Sequence, residues 1–222
     1  MTDDIRVVLV DDQALVRTGL AMIIDAQDDM RVVAQAADGR EALDVVAATR
    51  CDVVLMDVRM PRLDGVAATR QLLARHPDGP RILVLTTFDL DEHAFAALQA
   101  GASGFLLKDA PAEDVLAAIR TVHAGDAVIA PSTTRRLLQH IAAELPTSTG
   151  DDPLAALTDR ERDIMVHIAH GETNAEIAAR LYLAEPTVKT YVGRILAKLD
   201  LRDRVHIVIR AYESGLVRRG HP

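Results

Sequence analysis

Four short apolar runs in the first half of the chain each end immediately before a polar or charged residue. The runs cover residues 7–10, 53–56, 82–85 and 105–107, and the residues that follow them are Asp11 with Asp12, Asp57, Thr86 and Lys108. Such runs are typical of strands buried in a parallel sheet. Because the carboxyl ends of these strands share one edge, where open α/β proteins bind ligands, we expect the five side chains to lie together. Three carboxylates, a hydroxyl and an ammonium group there predict a site for a divalent metal ion and a phosphoryl group.

The apolar runs alternate with helical patterns five times, which is typical of a doubly wound domain. The predicted strands cover residues 6–10, 31–36, 53–57, 81–86 and 104–107, and the predicted helices cover 14–24, 40–49, 65–75, 91–100 and 112–124. Right-handed crossovers place the helices on both faces of the sheet. We therefore predict an α/β fold, a (βα)5 doubly wound parallel sheet, for the first domain.

The composition is that of a globular protein with one large domain or two small ones. The chain has 222 residues, of which 49% are apolar, and no apolar stretch approaches the roughly 18 residues of a membrane span. Its first residues, Met1-Thr2-Asp3-Asp4, are acidic where a signal peptide is basic. We expect a cytoplasmic protein with no membrane partner. The single cysteine, Cys51, excludes an internal disulfide and a thiolate-rich zinc site.

Charge and composition divide the chain into two parts. The net charge of −8 lies within residues 1–125, whereas residues 151–222 carry equal numbers of acidic and basic side chains. Residues 146–153 are rich in Pro, Thr, Ser, Gly and Asp, which is typical of a linker, and a short helix is predicted near residues 133–145. We predict a first domain at 1–125, a linker with a short helix at 126–153, and a second domain at 154–222.

The second domain is predicted to be all-helical, with four helices. Thr158 with Glu161, and Thr173 with Glu176, have the spacing of capping boxes at helix starts. Pro186 can begin the next helix, which runs to about residue 199. The apolar residues of this helix, Val188, Val192, Ile195 and Leu199, recur on one face, and Lys189, Thr190, Gly193, Arg194 and Lys198 lie largely outside it. A short helix, a tight connection and a longer helix with an exposed basic face predict a helix-turn-helix.

These motifs resemble those of bacterial two-component response regulators of the NarL/FixJ type, in which a receiver domain precedes a LuxR-type helix-turn-helix domain. The receiver resemblance rests on Asp11-Asp12, Asp57-Val58-Arg59-Met60-Pro61-x-x-Asp64-Gly65, Thr86, and Gly101-Ala102-x-Gly104-Phe105-Leu106-Leu107-Lys108. The second resemblance rests on Leu157-Thr158-x-Arg160-Glu161-Arg162, Asn174-x-Glu176-Ile177-Ala178, and Thr187-Val188-Lys189-x-x-Val192-x-x-Ile195-x-x-Lys198-Leu199. Together the two cover nearly the whole chain.

The resemblance implies a role for each polar residue at the sheet edge. Asp57 is the phosphoacceptor, and Lys108 and Thr86 contact its phosphoryl group. The Mg2+ ligands it implies are Asp11, Asp12, Asp57 and the backbone carbonyl of Arg59. Thr86 and Phe105 are the implied switch, in which the hydroxyl moves towards the phosphoryl group and the aromatic ring turns inward. A charge change that biases a two-state element in this way is a general scheme of regulation.

The resemblance also implies a DNA-binding half. Lys189 and Thr190 are positioned to reach base edges, while Thr187, Arg194 and Lys198 suit phosphates. The last helix would join two copies, and its candidate interface residues are Val205, Val208, Ile209 and Tyr212. Three positions depart from the family pattern: Ala184 replaces a common capping Ser, Gly193 has no side chain, and Asp200 replaces a frequent Gly.

The predicted function is that of a transcription regulator and not of an enzyme. A sensor histidine kinase phosphorylates Asp57 with Mg2+, and the receiver then changes dimerisation or interdomain contacts so that a homodimer binds promoter DNA. A phospho-dependent adaptor whose helical domain binds protein is an alternative. An aspartate-nucleophile phosphatase is a further one, although it usually needs a second acid where this chain has Arg59.

Overall fold

The structure, a computed structural model, describes residues 4–86, 92–125 and 153–217, and of residues 92–95 it describes only the backbone. The chain divides into two compact units, residues 1–128 and 129–222. The helix predicted near residues 133–145, and nearly all of the predicted linker, lie outside the described residues. The domain boundaries inferred from the sequence therefore stay predictions.

The first unit is built on a sheet of five parallel strands. They are β1 (Ile5–Val10), β2 (Met30–Ala36), β3 (Val53–Asp57), β4 (Arg81–Thr86) and β5 (Gly104–Leu107). Their order across the sheet is β2-β1-β3-β4-β5. The winding direction reverses between β1 and β3, and such a switch point opens a crevice at the carboxyl ends of the strands. The predicted strand bounds agree with the structure to within one residue.

Five helices connect these strands or follow them. They are α1 (Ala14–Asp25), α2 (Gly39–Ala48), α3 (Gly65–Arg75), α4 (Glu92–Gln99) and α5 (Ala112–His123). On one face of the sheet, Leu9 and Leu55 pack with Ile24 of α1 and Ile119 of α5. Burying one such side chain contributes about 1.5–3 kcal/mol, so this core holds α1 and α5 against the sheet. The predicted α/β fold class is confirmed.

The second unit contains four described helices. They are α6 (Asp159–Ala169), α7 (Asn174–Leu181), α8 (Glu185–Leu199) and α9 (Arg204–Glu213). Both capping boxes are present: the side chain of Thr158 accepts the N–H of Glu161, whose carboxylate accepts the N–H of Thr158, and Thr173 and Glu176 do the same. Ile164, Ile177, Ile195 and Ala211, one from each helix, share a single core. The predicted all-helical second domain is confirmed.

A membrane-spanning helix is not found in the described part of the chain, where every helix is too short or too polar to cross a bilayer.

Candidate functional site

Three carboxylates converge at the crevice beside the carboxyl ends of β1 and β3. Asp57 is the last residue of β3, and Asp11 and Asp12 follow β1. Val10 pairs with Met56 across the sheet, so Asp11 stands level with Asp57. One oxygen from each carboxylate lies within 4.8 Å of the others. Asp11 is 1% exposed and Asp57 is 3% exposed, whereas Asp12 faces solvent.

Lys108, the residue after β5, supplies a positive charge to this cluster. Its Nζ lies 2.5 Å from Oδ2 of Asp11 and 2.8 Å from Oδ2 of Asp57. Its backbone N–H donates to the carbonyl of Thr86 at 2.7 Å, which holds the start of the loop after β5 against the end of β4. The long side chain can therefore reach across β4 to both acids.

Burial and charge together set the protonation preferences of this site. Burial raises the pKa of Asp57, and the neighbouring Asp11 adds to that rise, although Lys108 opposes it. Burial alone would lower the pKa of Lys108, but its hydrogen bonds to Asp11 and Asp57 and their charges outweigh burial and raise it. Lys108 is thus a cation at neutral pH. The ionised form of Asp57 remains costly, so further positive charge would stabilise it.

The loop after β3 stays close to Asp57. The N–H of Arg59 donates to Oδ1 of Asp57 at 3.3 Å, and the N–H of Gly65 donates to the carbonyl of Val58 at 2.9 Å. A Cβ at position 65 would lie 2.0 Å from the carbonyl oxygen of Asp57, so this approach requires glycine. Asp64 caps α3 with its side chain. The pair Asp64-Gly65 therefore closes the loop.

The two residues of the predicted switch lie on neighbouring strands. Thr86 ends β4 and is buried, and it pairs with Leu107. Phe105 of β5 pairs with Val84 and is 5% exposed, so its ring is already inside the protein. The structure therefore places both residues in the sheet that carries Asp57. Their movement stays a prediction.

The donor set at this edge suits Mg2+. All three acidic side chains offer oxygen atoms, which hard divalent cations prefer. Three ionised carboxylates beside one ammonium group leave the cluster negative, and two of those carboxylates are buried. A small divalent cation would reduce that repulsion. The carbonyl of Arg59 follows Asp57 by two residues, and its part as a ligand stays a prediction.

The helix α8 has an apolar face in the core and a polar face outside. Val188, Val192 and Ile195 are buried, whereas Thr187, Lys189, Thr190 and Arg194 are exposed. The hydroxyl of Thr190 donates to the carbonyl of Pro186 at 3.0 Å. The guanidinium of Arg194 lies 5.7 Å from the centre of the Tyr191 ring. These four predicted contact residues share one accessible surface.

Lys198 has a different environment from the other predicted DNA contacts. Its Nζ lies 2.7 Å from Oε2 of Glu161, a buried carboxylate on α6. Burial alone would raise the pKa of Glu161, but the contacts with Lys198 and Thr158 outweigh burial and lower it. Lys198 thus joins α8 to α6 within the domain. This placement does not support a phosphate contact by Lys198, because breaking the pair would leave a buried charge.

The predicted dimer contacts on α9 lie largely inside a single chain. Val205, Val208 and Ile209 are buried, and Val208 belongs to the core of the second unit. Tyr212 is half-buried against the same core, and burial raises its pKa. Val208 therefore packs within its own unit, and the dimer interface on α9 stays a prediction.

Two departures from the family pattern have visible consequences. Ala184 stands at the N-cap of α8 and gives no side-chain hydrogen bond there. Asp200 ends α8 in the left-handed conformation, with φ of 52°, a conformation that glycine adopts more easily.

Two other residues near the sites were not predicted from the sequence. They are Arg62, which pairs with the buried Asp38, and Tyr182, which ends α7 with φ of 54°. A left-handed backbone leaves no clear signal when the residue is not glycine.

Comparison with known proteins gives the same division of the chain. Residues 7–120 match the family described as response regulator receiver domain, and residues 155–211 match bacterial regulatory proteins of the luxR family. The transcriptional regulatory protein YxjL of Bacillus subtilis is 38% identical over 97% of this chain and 98% of its own. The oxygen regulatory protein NreC of Staphylococcus carnosus is 39% identical over 96% of this chain and 99% of its own.

A solved structure is similar over nearly the full length. It is the crystal structure of the response regulator ChrA of a heme-sensing two-component system, with 36% identity, a TM-score of 0.52, and coverage of 96% of this chain and 99% of that one. Sequence, fold and the order of the two domains agree across these relatives. The chain therefore belongs to the response regulators of the NarL/FixJ type, transcriptional regulators that join a receiver domain to a LuxR-type DNA-binding domain.

Proposed function

We propose that Asp57 accepts a phosphoryl group from the phosphohistidine of a sensor kinase. The observation that carries this proposal is the contact of one ammonium group, Lys108 Nζ, with both Asp11 and Asp57 at 2.5 and 2.8 Å. An oxygen of Asp57 forms a bond to phosphorus while the bond from phosphorus to the imidazole nitrogen breaks. The electron pair remains on that nitrogen, which then takes a proton.

Charge repulsion is the main obstacle to this transfer. A phosphoryl oxygen at about 4 Å from a carboxylate is repelled by about 1 kcal/mol per charge pair even in water, and by more in a buried site. We propose that Asp11, Asp12, Asp57 and the carbonyl of Arg59 hold Mg2+, which supplies the positive charge that offsets this repulsion. Lys108 would give up its contact with Asp57 and pair with a phosphoryl oxygen.

The response to phosphorylation would begin at Thr86. Its hydroxyl would donate to a phosphoryl oxygen, and the space that it leaves would be filled by Phe105, which is buried beside it in the next strand. We propose that this change alters dimerisation or the contacts between the two domains. A homodimer on DNA would have its interface outside Val208, which packs in the core of its own unit.

We propose that α8 is the recognition helix. Lys189 and Thr190 would reach base edges of promoter DNA, and Thr187 and Arg194 would contact phosphates. Within residues 153–217, no carboxylate pairs with Lys189, so its charge is available to a ligand. Lys198 would remain paired with Glu161 and would hold α8 in place against α6.

Labelling with a radioactive phosphodonor tests the phosphoacceptor. The wild-type protein should take up acid-labile label in the presence of Mg2+, and Asp57→Asn should take up none, because an amide nitrogen and oxygen are poor nucleophiles. Asp12→Asn, which keeps the shape of an exposed side chain but removes a proposed metal ligand, should slow the labelling. Full labelling of Asp57→Asn would exclude this residue as the acceptor.

DNA retention separates this function from a protein-binding adaptor. Binding to DNA should weaken as salt increases, because phosphate contacts release counterions. At a given salt concentration, Lys189→Ala should bind DNA more weakly than the wild-type protein. An aspartate-nucleophile phosphatase remains disfavoured, since the exposed Arg59 stands where a second acid would be needed.

A further inference from the structure

Tyr182 combines two features that do not favour folding. It is 96% exposed, although it carries a large aromatic ring. Its backbone has φ of 54° and ψ of 45°, the left-handed conformation, at the end of α7. Glycine is the usual residue at such a helix end, and Asn is the next.

The local fold explains why the backbone takes this path but not why the side chain is Tyr. Leu181 and Leu183 on either side are packed against the core of the second unit, so the chain must turn sharply between them. The N–H of Tyr182 donates to the carbonyl of Ala178, and the N–H of Leu183 donates to the same oxygen at 2.9 Å. These bonds use only the backbone. Glycine at this position would make them with less strain.

The place of Tyr182 relative to α8 suggests what it contacts. It lies three residues before Glu185, where α8 begins, and three residues of chain span at most about 10 Å. The major groove is about 12 Å wide and has phosphates along both sides. A residue this close to the start of a helix in the groove is therefore near the sugar-phosphate backbone.

One cation lies beside this turn. Nη2 of Arg160 donates to the carbonyl of Leu181 at 3.1 Å, which holds a guanidinium beside the turn. That guanidinium is only loosely shared with an acid, since Nη1 is 4.0 Å from Asp163. Glu185 is the acidic neighbour in the first turn of α8. The guanidinium of Arg160 on α6 is hydrogen-bonded to the turn, so a phosphate near Tyr182 would have a cation beside it.

We infer that Tyr182 binds the DNA backbone, with its hydroxyl donating to a phosphate oxygen at the edge of the site read by α8. This inference rests on the proposed function of α8 and extends it to the connection before the helix. The contact carries no base information, so it contributes equally to cognate and non-cognate DNA. The Tyr182 hydroxyl carries no charge, whereas the guanidinium proposed to contact a phosphate at Arg194 is a cation.

The test uses the full chain and two DNA duplexes, one selected by the wild-type protein from a random pool and one unselected. Tyr182→Phe should weaken binding to both duplexes roughly three- to tenfold, because a single hydrogen bond at a solvent-exposed site is lost. Tyr182→Gly and Tyr182→Asn should weaken binding at least as much. Both should keep or raise the melting temperature, since each suits the left-handed backbone.

Arg194→Ala is the matched control, because it removes a charged contact from the exposed face of α8. It should reduce the slope of log affinity against log salt by about one, whereas Tyr182→Phe should leave that slope unchanged. Unchanged affinity in Tyr182→Phe and Tyr182→Gly would overturn the inference. So would lost transcriptional activation with full DNA affinity, which would indicate a protein partner. If the wild type enriches no duplex from the random pool, the proposed function of α8 fails and the inference fails with it.

Discussion

At the scale of single residues, the burial of the Asp57 carboxyl lowers stability at neutral pH. Its pKa is raised above the usual value near 3.8, with burial as the largest cause. The folded state therefore binds more protons than the unfolded state across the interval between the two pKa values, and stability falls as pH rises through it. At neutral pH the ionised side chain is a net cost to the fold.

Asp57→Asn should therefore stabilise the protein at neutral pH. The amide keeps the shape of the side chain and removes a charge that burial and Asp11 disfavour. We expect a rise in melting temperature of roughly 1–4 °C at pH 7, and a smaller rise near pH 4, where the wild-type carboxyl is partly protonated. Thermal unfolding at both pH values measures this. A lower melting temperature at pH 7 would mean that the contact with Lys108 outweighs burial.

Lys198 and Arg194 lie on the same helix but should have different roles. Lys198 pairs with the buried Glu161, whose pKa is lowered below its usual value of 4.5. The pair therefore adds stability that is present above that pH and is lost as pH falls through the lower, folded-state pKa. Lys198→Ala should cost about 1–2 kcal/mol at pH 7 and less near pH 3.

Urea unfolding at the two pH values measures the cost, and Arg194→Ala is the comparison. Arg194 contacts the ring of Tyr191 at the surface, so its removal should reduce DNA affinity with little change in stability. If Lys198→Ala left stability unchanged and weakened DNA binding as Arg194→Ala does, the phosphate contact first predicted for Lys198 would be restored.

At the scale of elements, the loop that follows Asp57 is tied to the start of α2. Arg62 pairs with Asp38, a fully buried side chain that also accepts the N–H groups of Arg40 and Glu41 and so caps α2. The carbonyl of Leu63 accepts the N–H of the residue after Asp38 at 3.1 Å. Arg62 itself has a left-handed backbone, with φ of 66°. The loop is therefore held by a helix cap in another part of the chain.

Substitutions of Asp38 and of Arg62 should reduce the stability of the protein by different amounts. Asp38→Ala removes the cap as well as the ion pair, and should cost about 1–2 kcal/mol. Arg62→Gly removes an exposed guanidinium from the buried Asp38 but relieves the backbone, and Asp38 keeps its hydrogen bonds from Arg40 and Glu41, so stability should fall by less than in Asp38→Ala. Urea unfolding compares them. Equal losses would show that the ion pair, rather than the cap, stabilises the contact.

Sequence reasoning reached the strand ends but not the contacts between helices. Asp11, Asp57, Thr86 and Lys108 were predictable as neighbours because a parallel sheet aligns the ends of its strands, whatever lies between them. The contact of Lys198 with Glu161 joins residues 37 apart and depends on how two helices cross, which periodicity does not give. The apolar residues of α9 show a helical pattern whether they face their own core or a second copy.

At the scale of the whole molecule, the proposed phosphorylation site lies in one unit and the proposed DNA-binding surface lies in the other. The receiver unit carries the acidic residues and Lys108, and the helical unit carries Lys189 and Arg194. Their coupling requires that phosphorylated and unphosphorylated forms differ in affinity for DNA. DNA can favour one conformation of the protein only to the extent that it binds that conformation more tightly than the other.

The affinity of the full chain for its selected DNA duplex, measured with and without a small phosphodonor and Mg2+, tests this coupling most directly. We predict that phosphodonor raises the affinity of the wild-type protein roughly tenfold, an ordinary magnitude for coupled sites. Asp57→Asn should keep its basal affinity and show no rise. An equal rise in Asp57→Asn, or no rise in fully phosphorylated wild-type protein, would contradict the proposed coupling between Asp57 and DNA affinity.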